Sequence, residues 1–380
     1  MTGETPIRSL RDDALFVSAN GIGQGHLTRQ LAVARRLPAG VTAAFLTMSY
    51  SASIVRDLGF AVHVLPHHHL TGEAPDVWNA RLAEEIELLL DARASRTLIY
   101  DVNFVFDGVI EVLRRRRDLR SVWIRRAMWP QHHAAYLGAG VHFSEIVEPG
   151  EFAESYDNGP TVLARERVTA VSPVLLLDPD ERMEREAARA ALGLPPEATI
   201  VLLDIARASS QALSERHRQI DALLSQHGVH AVELNSALAA AAERTSHRPG
   251  HSRLTLYPAY RFSRAFDAMI VRASYNTFHE NIAGAIPTLF VPDEAVDMDR
   301  QVDRARFAAD NGLGLLCRLD APEAEIRAAV ATLLDADARA RLTAACAAFV
   351  AERGGWQNGA DDVAGMIMPP SVQERLRPME

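Results

Sequence analysis

Residues 269–301, MIVRASYNTFHENIAGAIPTLFVPDEAVDMDRQ, carry the pattern that decides the fold. Met269, Ile270 and Val271 make a short apolar run, followed by a polar turn from Arg272 to Thr277. Phe278, Ile282 and Ala285 recur at i, i+4 and i+7, which predicts a helix over 277–285. Gly284 and Pro287 end it, and TLFV at 288–291 predicts a second buried strand. Strand, turn, helix, strand is a βαβ unit with a polar crevice where the first strand hands over to its helix. The unpaired N–H groups and dipole of such a helix start favour an anion by about 0.3–1 kcal/mol per charge. Arg272, Ser274, Tyr275, Asn276 and Thr277 are therefore candidate ligand contacts. Glu280, about one turn in, disfavours a phosphate set against it but suits the two hydroxyls of a ribose. Asp297, Asp299 and Gln301, in the loop after the second strand, offer partners to sugar hydroxyls.

A second informative stretch lies near the start. ALFVS at 14–18 predicts a buried strand, and a helix is expected from about Leu27 to Leu37, ended by Pro38 and Gly40. Between them Gly21, Gly23 and Gly25 allow a tight turn and close approach to a ligand, and His26 follows directly. The string is GxGxGHxxR, not the GxGxxG of a dinucleotide fold, because its third glycine comes one position early. His26 is a candidate general base, or simply a packing residue at a helix start. Asp101 closes the expected strand 97–100 at the edge where ligands collect in open α/β sheets, with Asp107 as a nearby competitor. The arginine run 114–117 suits a helix C-terminus better than a membrane patch, and Arg125 and Arg126 follow the next strand towards the same edge. Three adjacent histidines, His67, His68 and His69, are expected to be loop residues that cannot all face one metal.

The chain of 380 residues is long for one core and implies two domains. A net charge of −9 argues against a nucleic-acid binder. Two cysteines, Cys317 and Cys346, suit a reducing compartment with no disulfide framework. The polar N-terminus and the lack of long apolar runs lead us to expect a cytoplasmic protein with at most peripheral membrane contact.

Ser274 to Pro292, with the acidic-and-Gln loop after it, resembles the donor-binding segment of GT-B glycosyltransferases. The likeness is to the N-acetylglucosaminyltransferase that forms lipid II and to natural-product and UDP-glycosyltransferases. GxGxGHxxR resembles the acceptor-side loop of the same enzymes, and of a nucleotide-sugar hydrolase sharing their fold. AARAALGLPPEATIVLL at 187–203 resembles the opening of their second domain. There the chain departs from the pattern: DIARASS at 204–210 stands where a Gly-rich loop is expected. Arg207 and Ser209 would serve a diphosphate in its place.

The resemblance implies two Rossmann-like doubly wound α/β domains facing one another across a cleft. An acceptor-binding domain would span 13–174 and a nucleotide-sugar domain 175–350, with 351–380 a helix crossing back and a tail. It implies inverting, metal-independent transfer of a hexose, N-acetylglucosamine or glucose, from a UDP-sugar to an unidentified acceptor hydroxyl, with no cofactor. His26 would be the base and Asp101 its orienting partner, and Gly21, Gly23, Gln24, Gly25 and Arg125 would line the acceptor side. Tyr257 would meet the base, Glu280 the ribose, and Asp299 and Gln301 the hexose. A hydrolase, and a nucleotide-sugar-binding protein without turnover, are the alternatives.

Overall fold

A computed structural model describes residues 13–18, 24–49, 51–205, 210–235, 249–296 and 298–367. Its strands form two wholly parallel sheets. The first has seven strands in the order β3-β2-β1-β4-β5-β6-β7. They are β1 (Asp13–Ser18), β2 (Thr42–Thr47), β3 (Ala61–Val64), β4 (Thr97–Asp101), β5 (Arg120–Ile124), β6 (Glu145–Pro149) and β7 (Thr169–Val171). The second has six, in the order β10-β9-β8-β11-β12-β13. They are β8 (Ile200–Asp204), β9 (His230–Leu234), β10 (His251–Leu254), β11 (Ala268–Val271), β12 (Thr288–Phe290) and β13 (Leu315–Leu316). Helices connect successive strands, which is how parallel sheets come to be covered on both faces. The central strands accordingly read as continuous apolar runs, with Leu15, Phe16, Val17, Leu98, Ile99, Ile200, Val201 and Ile270 all buried.

The change of strand order between β1 and β4 sets two ends side by side. Their register pairs Ser18 with Asp101, so the turn after β1 opens beside the Asp101 carboxylate. In the second sheet Val271 pairs with Asp204 and with Phe290, so the turn after β11 opens between β8 and β12. These are the positions where open α/β sheets form their ligand crevices.

Both helices at these turns begin two residues earlier than the apolar spacing predicts. Gly25–Ala34 brings His26 into its first turn, and Tyr275–Ala283 makes Ser274 its N-cap. Hydrophobic periodicity registers only from the first aliphatic or Phe position, and Gly25, His26, Tyr275 and Asn276 do not continue that pattern although His26 and Tyr275 are buried.

The two sheets are not independent bodies. One apolar cluster runs from Leu27 and Leu31 through Val174 and Leu176 to Phe278 and Ile282. The segment between the sheets is pinned as well. Asn358 donates to the Leu175 carbonyl (2.9 Å) and to Asp178 (2.7 Å), which also takes bonds from Trp356 (2.8 Å) and Arg36 (2.8 Å). The helix Gly359–Ile367 then lies against the helix Gly25–Ala34 and β7. Trp123 and Trp129 are fully buried, so the arginine run has no aromatic membrane face beside it.

The last helix reaches this position because Gly359 has no side chain: a Cβ there would stand 2.0 Å from the Ser172 carbonyl oxygen. Gly359→Ala forces that backbone apart. It is expected to cost about 1–3 kcal/mol in denaturant unfolding, whereas Gly365→Ala, with open space around its Cβ, stays near wild type.

Candidate active site

On the first-domain wall, His26 Nδ1 lies 2.6 Å from Asp101 Oδ1. Both are buried, at 7% and 0% exposure. Arg29, one helical turn on, reaches the same carboxylate twice, Nε to Oδ2 at 2.9 Å and Nη2 to Oδ1 at 2.6 Å. Burial works against the Asp101 anion, but Arg29 and His26 outweigh it and hold its pKa below the usual carboxylate range. Facing an ionised carboxylate, Nδ1 carries the hydrogen, which leaves the lone pair on Nε2. None of the described residues engages that atom. Burial lowers the imidazole pKa against the pull of Asp101, and Arg29 and Arg126 lower it further. A neutral imidazole with a free Nε2 is what a general base requires near pH 7.

The facing wall is the start of the helix Tyr275–Ala283. Ser274 does not cap it; its hydroxyl donates to Thr277 Oγ1 (3.0 Å), so the first-turn amides gain no partner from it. Asn276 donates to the Gly25 carbonyl across the interface (3.4 Å), while its own Oδ1 is buried and unpartnered among the described residues. Buried Arg272 Nε is likewise unpartnered, near a half-buried Asp204 whose carboxyl is pushed up by desolvation. Further along, Glu280 pairs with none of the described residues, and burial alone pushes its carboxyl up to about 8. Its surface is half-open, yet enough protein surrounds it to deny the anion solvent. Tyr257 and Tyr260 stand close enough for Glu280 to raise both phenols, whose pKa burial has already raised. Tyr257 shares a hydrogen bond with Thr28 of the first domain (3.0 Å), and the Tyr260 hydroxyl is buried without a partner.

Four of the expected contacts have partners within the protein. The Tyr275 ring is buried, and its hydroxyl donates to the Gly150 carbonyl (2.9 Å) and accepts from the Val174 amide (3.2 Å). It ties the domains together and offers a ligand only its backbone. Asp299 is buried between Arg126 (2.8 Å) and Arg304, which hold it far below the carboxylate range, so its carboxylate neutralises two guanidiniums. Gln301 accepts from the Asp293 amide (3.1 Å) and donates to Asp299 (3.4 Å), fixing the loop. Arg125 turns away from the crevice to Glu148 (2.9 Å), since alternation along the chain sends its neighbour Arg126 there instead. On the acceptor side Gln24 bonds Ser51 (3.1 Å), and a Cβ on Gly25 would meet open space, so packing does not demand that glycine. Gly21, Gly23, Arg207, Ser209 and Asp297 lie outside the described residues.

His67, His68 and His69 enter a short helix, His68–Thr71, and their ring nitrogens gather within 4.8 Å. The expectation of three loop residues that cannot all face one metal therefore does not hold in geometry: His68 and His69 are helical, and one nitrogen of each ring shares the same small region. The rings also pack on one another, with centroids 4.1–4.8 Å apart and planes 27–43° from parallel.

The site also rests on residues that the sequence reading passed over. Arg304 bonds Glu151 of the first domain (2.8 Å) as well as Asp299, while Arg126 crosses the other way. Buried His279 donates from Nδ1 to the Tyr275 carbonyl (2.7 Å) and accepts at Nε2 from the Phe152 amide (3.1 Å). Arg29 stood visible as the last letter of GxGxGHxxR, at the i+3 spacing that stacks it over His26. Nothing local marks Arg304 or Glu151.

No family model matches the chain, and no curated protein matches it by sequence. Solved structures do. CalG4, the calicheamicin glycosyltransferase, is 17% identical over 97% of this chain and 100% of its own, with a TM-score of 0.60. MurG of Acinetobacter baumannii is 16% identical over 93% and 99%, with a TM-score of 0.58. Os79 from O. sativa, solved in complex with UDP, is 13% identical over 93% and 99%, with a TM-score of 0.66. The fold is GT-B. The GT-B cleft lies between the two carboxyl edges described above, where His26 and Glu280 stand on opposite domains. No described helix is long and apolar enough to cross a membrane.

The ion pairs across this cleft predict an acid-sensitive closure. Arg304 holds Glu151 at about 2 against burial. A depressed carboxylate contributes stability that is full above its unfolded pKa of about 4.3 and is lost as pH falls towards the folded value. Unfolding free energy should therefore drop between about pH 5 and 2. Glu151→Gln should lose about 3 kcal/mol at pH 7 and flatten that acid limb, both read by denaturant titration.

Proposed function

We propose that the protein is a nucleotide-sugar-dependent glycosyltransferase, moving a hexose from a UDP-sugar to an acceptor hydroxyl with inversion and without a metal ion. The observation that carries this reading is the opposition of a His26–Asp101 pair with a free Nε2 to an uncapped helix start flanked by the unpartnered Glu280. The acceptor hydroxyl gives its proton to His26 Nε2 as its oxygen bonds to the anomeric carbon. The bond from that carbon to the UDP oxygen breaks, and attack opposite the leaving group inverts the centre. Charge building on the diphosphate meets the amides of 275–277, the Thr277 hydroxyl and Arg272. Glu280 takes the ribose hydroxyls and Tyr257 stands at the base. Asp299 and Gln301 enter only as supports of the loop. UDP as the nucleotide, N-acetylglucosamine or glucose as the sugar, and a cytoplasmic site of action belong to the same proposal.

Turnover of UDP-sugars with a panel of acceptor alcohols, followed by UDP release with and without EDTA, tests it. His26→Ala should lose at least about 10²-fold in kcat with UDP affinity within a few-fold. UDP release without an acceptor at the same rate would make the protein a hydrolase, and EDTA-sensitive turnover would end the metal-free mechanism.

Glu280 makes a separate prediction. Two hydroxyls donating to its carboxylate stabilise the ionised form, so ligand affinity depends on ionising a group that stands at about 8. UDP affinity should rise as pH climbs from 6 towards 8 and then level, by up to about tenfold per unit. Glu280→Gln should be weaker at pH 8 and show no such rise in calorimetric titration.

A further inference from the structure

Asp101 does not belong to His26 alone. Arg29, itself 1% exposed, grips both carboxylate oxygens in a planar fork, and its Nη2 also stands 2.9 Å from His26 Nδ1. A guanidinium can only donate. Nδ1 therefore either gives its hydrogen to Asp101 or accepts one from Arg29, and the two arrangements are opposite tautomers. In the second the hydrogen sits on Nε2 and the ring cannot take a proton from an acceptor. The fork decides between them. With Nε and Nη2 both committed to Asp101, the carboxylate is locked with Oδ1 against Nδ1 at 2.6 Å, a separation that requires a hydrogen between them.

The far face of Arg29 belongs to the other domain. Its guanidinium lies over the ring of Tyr275, 5.1 Å from the centroid, and Tyr275 is the first residue of the proposed donor helix. That ring is held in turn by Gly150 and Val174, and Arg304 lies over it at 5.7 Å.

We propose that Arg29 is a positioning residue for this transfer: it clamps Asp101 so that His26 presents a free Nε2, and through Tyr275 it makes that presentation depend on the two domains being together. The inference rests on the glycosyl-transfer reading and adds to it a residue that touches neither substrate. The groups facing His26 are Asp101 from the end of β4, Arg29 from its own helix, and Arg126 from beyond β5, itself paired with Asp299. Removing Arg29 takes away one of two cations beside the ring and frees Asp101 to favour the imidazolium.

The test combines pH–rate profiles with NMR titration of the His26 ring, read without substrate. Arg29→Met should move the acid limb of kcat/KM up by about one pH unit or more and lower kcat at pH 7 by about 10–100-fold, with UDP affinity within a few-fold. Arg29→Lys keeps the charge but not the fork. It should leave the acid limb nearer wild type while still losing kcat. Tyr275→Leu should shift the limb in the same direction by less. In each variant the His26 ring should titrate in step with the limb. A residue that only supported folding would lower activity with an unmoved limb and an unmoved ring, and that result in Arg29→Met overturns the proposal. If Arg29→Met does not fold, the Lys and Leu variants decide by the same two readouts. A ring that shifts as expected in a protein that turns over no nucleotide sugar would retain the clamp and remove the transfer reading instead.

Discussion

Arg304 is buried without exposure, with a carboxylate from each domain on its fork: Glu151 from the first and Asp299 from the second. Asp299 also takes Arg126 from the first domain, so the ion pairs cross the interface in both directions. Desolvating each ion costs several kcal/mol, and only good geometry with full pairing offsets it. In the region around His26, Asp101, Glu151 and Asp299 are matched in charge with Arg29, Arg126 and Arg304, although Arg126 Nε and Arg304 Nη2 have no hydrogen-bond partner among the described residues. Such an arrangement contributes less to net stability than to uniqueness. A sliding or rotated domain pair would break these pairs and leave buried charges without their counter-ions.

The position of the helix Tyr275–Ala283 follows from that constraint. Arg304 donates to the Ala273 carbonyl and lies over the Tyr275 ring, so the pairs that join the domains also hold the turn ahead of the helix. His279, one turn on, bonds back to Tyr275 and across to Phe152. The helix start is thus fixed against the first domain from three directions. A diphosphate site made of backbone amides works only when those amides are held in place, because their value lies in needing no reorganisation as charge develops.

The fold was legible because its signals are local. Apolar runs bounded by turn residues mark β1, β4, β8 and β11, and the βαβ order around Met269 was enough to imply a doubly wound sheet. His26, Asp101 and Glu280 were legible for the same reason, since each stands at the end of a strand or the start of a helix. The interface was not. Glu151 and Arg304 are 153 residues apart, and each alone reads as an ordinary surface charge. The expected hexose contacts Asp299 and Gln301 have partners that no local pattern shows: Arg126 and Arg304 hold Asp299, and the Asp293 amide and Asp299 hold Gln301. Arg125 and Arg126 show the limit at its narrowest, because one step along an extended backbone decides which of two identical side chains enters the cleft.

The two sides of the cleft differ in how complete they are. Burial moves His26 and Glu280 in opposite senses, lowering the imidazole and raising the carboxyl, because in both it disfavours the charged form. Yet His26 has its protein partners already, with Asp101 and Arg29 in place before any substrate arrives. Glu280, the Tyr260 hydroxyl, Arg272 Nε and Asn276 Oδ1 have none among the described residues. An unpaired buried polar atom costs about 1–3 kcal/mol. A ligand that supplied two diol hydroxyls near Glu280 and an anion near Arg272 would recover much of that cost on binding. Under the proposed transfer, the first-domain wall would act on a proton and the second would be completed by a polar, anionic ligand. The sign of the Glu280 shift carries the same information: a carboxyl held neutral by its surroundings marks where hydrogen-bond donors are still wanting.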